Sequence, residues 1–77
     1  KNKTIDLTPK EFDLLTTLLR QKKKAVSRQS LLTAVWGFDT PGNTGTIDVH
    51  IRHLRRKLGN HGEKIATVLG FGYRFDG

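Results

Sequence analysis

The stretch Thr44–Leu58, TGTIDVHIRHLRRKL, decides the fold. At about 100° of turn per residue it reads as one helix with two unlike faces. Ile47, Ile51, Leu54 and Leu58 recur at spacings of four, three and four. They fall within roughly 60° of one another and make a seam for packing. On the opposite side sit Gly45, Val49, Arg52, His53 and Arg56, with Arg55 and Lys57 on the flanks. Taken alone, that back is either a solvated basic face or a face shaped for a nucleic-acid major groove. There arginine reaches guanine edges and phosphates, and small apolar groups meet thymine methyls.

The rest of the chain weighs between the two. Its 77 residues suffice for one small domain, 1–77, with a modest core. The absence of cysteine excludes disulfides and thiolate metal sites and fits a reducing, cytoplasmic location. No apolar run approaches the length of a membrane span, and the basic, polar start lacks the apolar region of a signal peptide. Fourteen Lys and Arg against seven Asp and Glu leave a net charge of +7. Between Asp13 and Asp39 there is no acid, yet Arg20, Lys22, Lys23, Lys24 and Arg28 lie there. Arg52, Arg55, Arg56 and Lys57 form a second basic group, opposed locally by Asp48 alone. Two basic groups on a small domain suit a polyanion. No helix adds a broad aromatic face, so nucleic acid is favoured over a membrane surface.

Taken in order, Thr4-Ile5-Asp6-Leu7 alternates like a strand. Thr8-Pro9-Lys10-Glu11 is a helix start. Thr8 caps, Pro9 fits the first turn, and Glu11 closes a capping box three residues on. Phe12, Leu15, Leu18 and Leu19 then repeat at helical spacing with Leu14 beside them, and the helix should end within Arg20 to Lys24. Ala25-Val26 is a brief link or bridge strand. Ser27 caps a second helix, Arg28 to about Trp36, burying Leu31, Leu32, Val35 and Trp36. Gly37 ends it in a left-handed conformation. Phe38-Asp39-Thr40-Pro41-Gly42-Asn43 carries turn chemistry that forbids a continuous helix. Thr44 or Asn43 caps the third helix, and Gly59-Asn60 closes it. Asn60 to Glu63 reads as loop. Lys64 to Leu69 and Tyr73 to Phe75 read as paired strands around Gly70-Phe71-Gly72, whose two glycines supply positive φ.

Helix, helix, helix, hairpin describes an α+β winged helix-turn-helix with a C-terminal β-hairpin wing over 64–75 and a truncated N-terminal sheet. Asp48 is placed to pair with Arg52 at i+4 or to cap the helix start. Arg55 is placed to bind phosphate or to pair with an acid. His50, His53 and His61 lack a cysteine or a nearby acid as an extra ligand, so neither a metal nor another cofactor is expected. There is no cysteine nucleophile and no pair of carboxylates beside a histidine. GFG at 70–72 is too short to be a phosphate loop that opens a helix. An enzyme is therefore not expected.

LTPKEFDLL (Leu7–Leu15), SRQSLLTAVWG (Ser27–Gly37), TIDVHIRHLRRKL (Thr46–Leu58) and IATVLGFGYRF (Ile65–Phe75) together resemble the DNA-binding effector domain of OmpR/PhoB-type response regulators. The resemblance covers nearly the whole chain, with its four motifs in the right order. It implies a winged helix whose third helix, about 44–58, enters the major groove of double-stranded DNA. It also implies an upstream phosphorylated receiver domain, direct-repeat sites, and contact of Phe38, Asp39, Thr40, Pro41, Gly42 and Asn43 with RNA polymerase. Thr46, Val49, His50, Arg52 and Arg55 match positions that face DNA, and Trp36 matches a tryptophan near the phosphate backbone. Thr67, Gly70 and Tyr73 match wing positions at the backbone or minor groove. With Thr44 gripping phosphate, and His53 and Arg56 from the exposed face, these are the expected DNA-binding residues.

Three departures change the expected chemistry. Gly45 stands where relatives carry a phosphate-holding arginine, His53 where many carry a base-reading arginine, and Leu69 where a wing arginine enters the minor groove. The expected function is sequence-specific DNA binding by a two-component transcription regulator, and the domain by itself is expected to be a monomer. The alternatives are a winged helix that docks protein, or the same DNA-binding domain attached to a different sensor.

Overall fold

The computed structural model describes residues 6–37 and 44–77. Thr4 and Ile5 of the expected first strand, and the turn Phe38 to Asn43, lie outside that range, while Asp6 and Leu7 belong to no strand. The described elements are α1 (Pro9–Arg20), β1 (Val26–Ser27), α2 (Arg28–Trp36), α3 (Gly45–Leu58), a 3-10 helix (Gly59–Lys64), β2 (Ile65–Val68) and β3 (Gly72–Phe75). The strands form one antiparallel sheet in the order β1-β3-β2, with Tyr73 paired to Val26 on one side and Thr67 on the other.

Local chemistry accounts for the helix starts. Thr8 Oγ1 accepts from the Glu11 N–H at 3.1 Å, and Glu11 Oε1 accepts from the Thr8 N–H at 2.9 Å. Both otherwise orphaned donors are thereby satisfied. Ser27 Oγ accepts from the Ser30 N–H at 3.0 Å and starts α2. α1 stops at Arg20, inside the expected stretch. Lys23 then adopts φ 70° while its N–H bonds the Phe75 carbonyl at 2.8 Å. Gly37 does have positive φ, but its ψ of 168° is extended, so it turns the chain outward without the expected left-handed helical geometry. Thr44 is already helical and its side chain caps nothing, against the expectation for it.

Ile47, Ile51 and Leu54 of α3 are fully buried against Leu14 and Leu18 of α1 and Leu31, Leu32 and Val35 of α2, with Ile65 and Tyr73 closing the wing side. Leu58, Leu15 and Trp36 are half-buried at the margin. The expected α1 face is corrected. Phe12 is 56% and Leu19 42% exposed, because the seam of α3 meets the Leu14–Leu18 row instead. Glu11, at the base of α1, is buried and takes the Lys57 ammonium at 2.7 Å, tying the two helices together.

Two features of the wing also differ from expectation. Asn60 to Glu63 is part of the 3-10 helix. It passes so close to α3 that a Cβ on Gly62 would collide with the Arg55 carbonyl. The turn runs Leu69 to Phe71, with Gly70 at φ 72°, and Gly72 is already in β3 without positive φ. Gly72 is small for another reason. A Cβ there would strike the Val26 carbonyl of β1.

Gly72→Ala should therefore force β1 and β3 apart and destabilise the domain by about 2 kcal/mol. That corresponds to a fall of roughly 10 °C in Tm for a chain this small. An unchanged melting curve would show that the β1–β3 approach is not needed.

Candidate nucleic-acid interface

Because the seam faces inward, the opposite side of α3 is carried out to solvent. Gly45, Val49, Arg52, His53 and Arg56 are all exposed. Among the described residues, Arg52, His53 and Arg56 hold no hydrogen bond or ion pair. The side chains of Val49, Arg52, His53 and Arg56 give this face donors, positive charge and one apolar branch.

The start of α3 is arranged differently. His50 is half-buried, and its Nδ1 lies 2.9 Å from the Thr46 carbonyl one turn back. A carbonyl only accepts, so Nδ1 carries the proton of this bond. The His50 ring meets half-buried Trp36 edge-on at 5.0 Å. Lys10 lies over the same indole at 5.2 Å and donates to the Val35 carbonyl at 3.2 Å, closing the end of α2. Thr44 and Thr46 are half-buried beside this cluster.

Asp48 neither pairs with Arg52 by a hydrogen bond nor caps the helix. Its Oδ1 accepts from Arg28 Nε at 2.8 Å and from the Tyr73 hydroxyl at 2.5 Å. The Tyr73 hydrogen bond, joined by that of Arg28, holds the Asp48 carboxyl below its ordinary range. Burial, with the anionic Asp48 beside it, pushes the Tyr73 phenol up. Arg55 meets no acid among the described residues. Its Nε and Nη2 donate to the Ile65 carbonyl at 3.1 and 2.7 Å, and Nη2 also reaches Thr67 Oγ1 at 2.8 Å. Both Arg28 and Arg55 lie over the Tyr73 ring, at 5.3 and 5.4 Å.

Of the wing positions, Thr67 and Gly70 are at the surface, whereas Tyr73 is 5% exposed with its hydroxyl already donated. Leu69 is 90% exposed at the turn. Phe71 leans back toward a shallow groove lined by Thr17, Gln21 and Val26. Arg28 is the residue that sequence reasoning missed here. The signal was available in its charge and in the isolation of Asp48 among cations, but the partners are 20 residues apart. Among the described residues, no cluster of three metal-ligating side chains occurs, and no helix is long and apolar enough to cross a membrane.

A family described as "Transcriptional regulatory protein, C terminal" matches residues 2–75. The chain belongs to that family. It is 46% identical over 79 residues to the alkaline phosphatase synthesis transcriptional regulatory protein PhoP of Bacillus subtilis, covering 99% of this chain and 33% of that protein. The chain thus spans about a third of the length of this curated relative. The DNA-binding domain of Bacillus subtilis CssR superposes with a TM-score of 0.87 at 43% identity, over 96% of this chain and 82% of that one. The Klebsiella pneumoniae RstA DNA-binding domain, solved in complex with the RstA box, gives 0.81 at 32% identity, over 97% and 77%. The fold is the winged helix of these response-regulator domains, with α3 in the place of the recognition helix.

Two carboxylates of this winged helix make its stability acid-sensitive. Burial works to raise Glu11, but its hydrogen bonds from Lys57 and Thr8 outweigh that and leave it lowered, as Asp48 is. A carboxyl lowered by folding stabilises above its unfolded pKa and loses that contribution as pH falls through the folded value. Thermal stability should therefore hold from neutral pH to about pH 5 and drop below about pH 4. Glu11→Gln combined with Asp48→Asn should lower Tm at neutral pH and shrink the acid drop. An undiminished drop in the double variant would assign acid sensitivity to other groups.

Proposed function

We propose that this chain is the sequence-specific, double-stranded-DNA-binding domain of a two-component transcription regulator. The observation that supports it is the uncommitted row Val49, Arg52, His53 and Arg56, presented on one face of a helix whose other face is sealed in the core. One arginine of this row reads a guanine bidentately, and Val49 meets a thymine methyl. Trp36, Thr44, Thr46 and His50 lie along the phosphates at the start of α3, and Thr67 and Gly70 approach the backbone from the wing. The domain acts by binding, with no catalytic step of its own.

The longer protein carries a receiver domain upstream, acts in the cytoplasm, and binds as a tandem pair on direct repeats. Phe38 to Asn43 faces RNA polymerase there. The length of the curated relative supports a further domain, and the RstA complex with its box supports DNA as the partner.

Selection from random duplexes, followed by a salt titration on the selected site, tests the proposal. One motif should emerge, and log affinity should fall linearly with log salt through counterion release. Arg52→Ala should weaken the selected site by about 1–3 kcal/mol and relax one base position. Lys23→Ala should weaken every sequence slightly and equally. If Arg52→Ala leaves selected and random duplexes bound as before, α3 is not read through this face.

A further inference from the structure

We propose that Arg55 is the positioning residue of this interface, not a group that grips DNA. It straps β2 to α3 and so sets the distance between the major-groove row and the wing. The inference rests on the DNA-binding reading and deepens it.

Three observations carry it. First, the Arg55 guanidinium places three donated bonds on the wing, two of them on the Ile65 carbonyl and one on Thr67 Oγ1. A planar fork with fixed donor directions defines an angle as well as a distance. Second, β2 is an edge strand with β3 on one side only, so α3 supplies its other attachment. Third, Asp48 does for β3 what Arg55 does for β2, through the hydroxyl of buried Tyr73. Positions 48 and 55 are two helical turns apart on one face of α3. The wing is thus held at two points along the recognition helix, one for each strand. β3 is also fixed by backbone bonds to β1 and Lys23, so the Arg55 bonds matter most for β2, the outer strand. Moving Arg55 to a phosphate would release the Ile65 carbonyl and, with it, the side-chain attachment of β2 to α3.

The test separates a strap from a charge. Arg55→Lys keeps the positive charge but loses the fork, and Arg55→Gln loses both. Three readouts are taken on the selected duplex and on the free chain. These are protection of guanine N7 from dimethyl sulfate under α3, protection of sugars from hydroxyl radicals beside the wing, and amide exchange of β2 and β3. A strap predicts that Lys and Gln behave alike. Wing amides exchange about tenfold faster, the sugar protection disappears while guanine protection stays, and affinity falls about tenfold. Thr67→Val, which leaves the Ile65 bonds, should move each readout the same way by less. Wild-type exchange and sugar protection in Arg55→Lys would overturn the proposal and make Arg55 a simple phosphate contact. If neither Arg55 variant folds, unchanged wing exchange in Thr67→Val overturns it instead. A wild-type chain that protects no duplex would defeat the DNA-binding reading, while exchange in the free chain would still decide the strap.

Discussion

Burial of Ile47, Ile51 and Leu54 between α1 and α2 is the constraint from which the rest of this structure follows. A helix of 3.6 residues per turn cannot hide that seam without presenting the positions between its members. The arginines of α3 are outside because the isoleucines and leucine are inside. Loss of one buried branch would therefore act on recognition as well as on stability, since the rotation of α3 about its own axis is set by this packing. The polar contacts at the margin add to it. Glu11 with Lys57, and Asp48 with Arg28, connect α3 to α1 and α2 at opposite ends of the helix.

Of the fourteen Lys and Arg, several are engaged within the fold and are not offered to a partner at close range. Lys57 is paired with Glu11, Arg28 with Asp48, and Arg74 with Asp76, while Arg55 is turned onto the wing. What α3 offers directly is Arg52 and Arg56, flanking His53. Lys22, Lys23 and Lys24 are exposed at the far end of α1. Their field reaches about a Debye length, roughly 8–10 Å at ordinary ionic strength. On the proposed function they add long-range attraction only, and discrimination would fall to the few groups on α3.

Much of this was legible in the sequence, and the boundary follows contact range. The caps at Thr8 and Ser27, the seam of α3 and the hairpin all come from signals within a few residues, and they are where the sequence puts them. Asp48 was misread because the near candidate, Arg52 one turn away, competes with Arg28 and Tyr73 at 20 and 25 residues. Helical periodicity placed Phe12 and Leu19 on an apolar face but could not say which row of α1 would meet α3. Gly72 was expected to supply positive φ. Its real demand, room for the Val26 carbonyl, depends on a strand 46 positions earlier. Arg55 was read as a phosphate ligand or the partner of an acid, and its bonds to the Ile65 carbonyl were not foreseen, since a lone cation on a helix flank gives no hint of a carbonyl ten residues ahead.

The wing brings these strands together. A two-stranded hairpin in water is marginal on its own, and here it gains a third strand of only two residues, β1. Beside the Arg55 bonds to β2, it is supported by the Tyr73 ring, which buries apolar area and ends in a hydroxyl held by Asp48, with the guanidiniums lying over it. Tyrosine suits this place because one side chain satisfies the core and a carboxylate at once. Asp48 in turn would be an unwelcome negative charge beside a polyanion if it stood free. Bonded through Oδ1 to both Tyr73 and Arg28, its charge is offset, so one carboxylate stabilises the wing and keeps the cationic row of α3 from being cancelled.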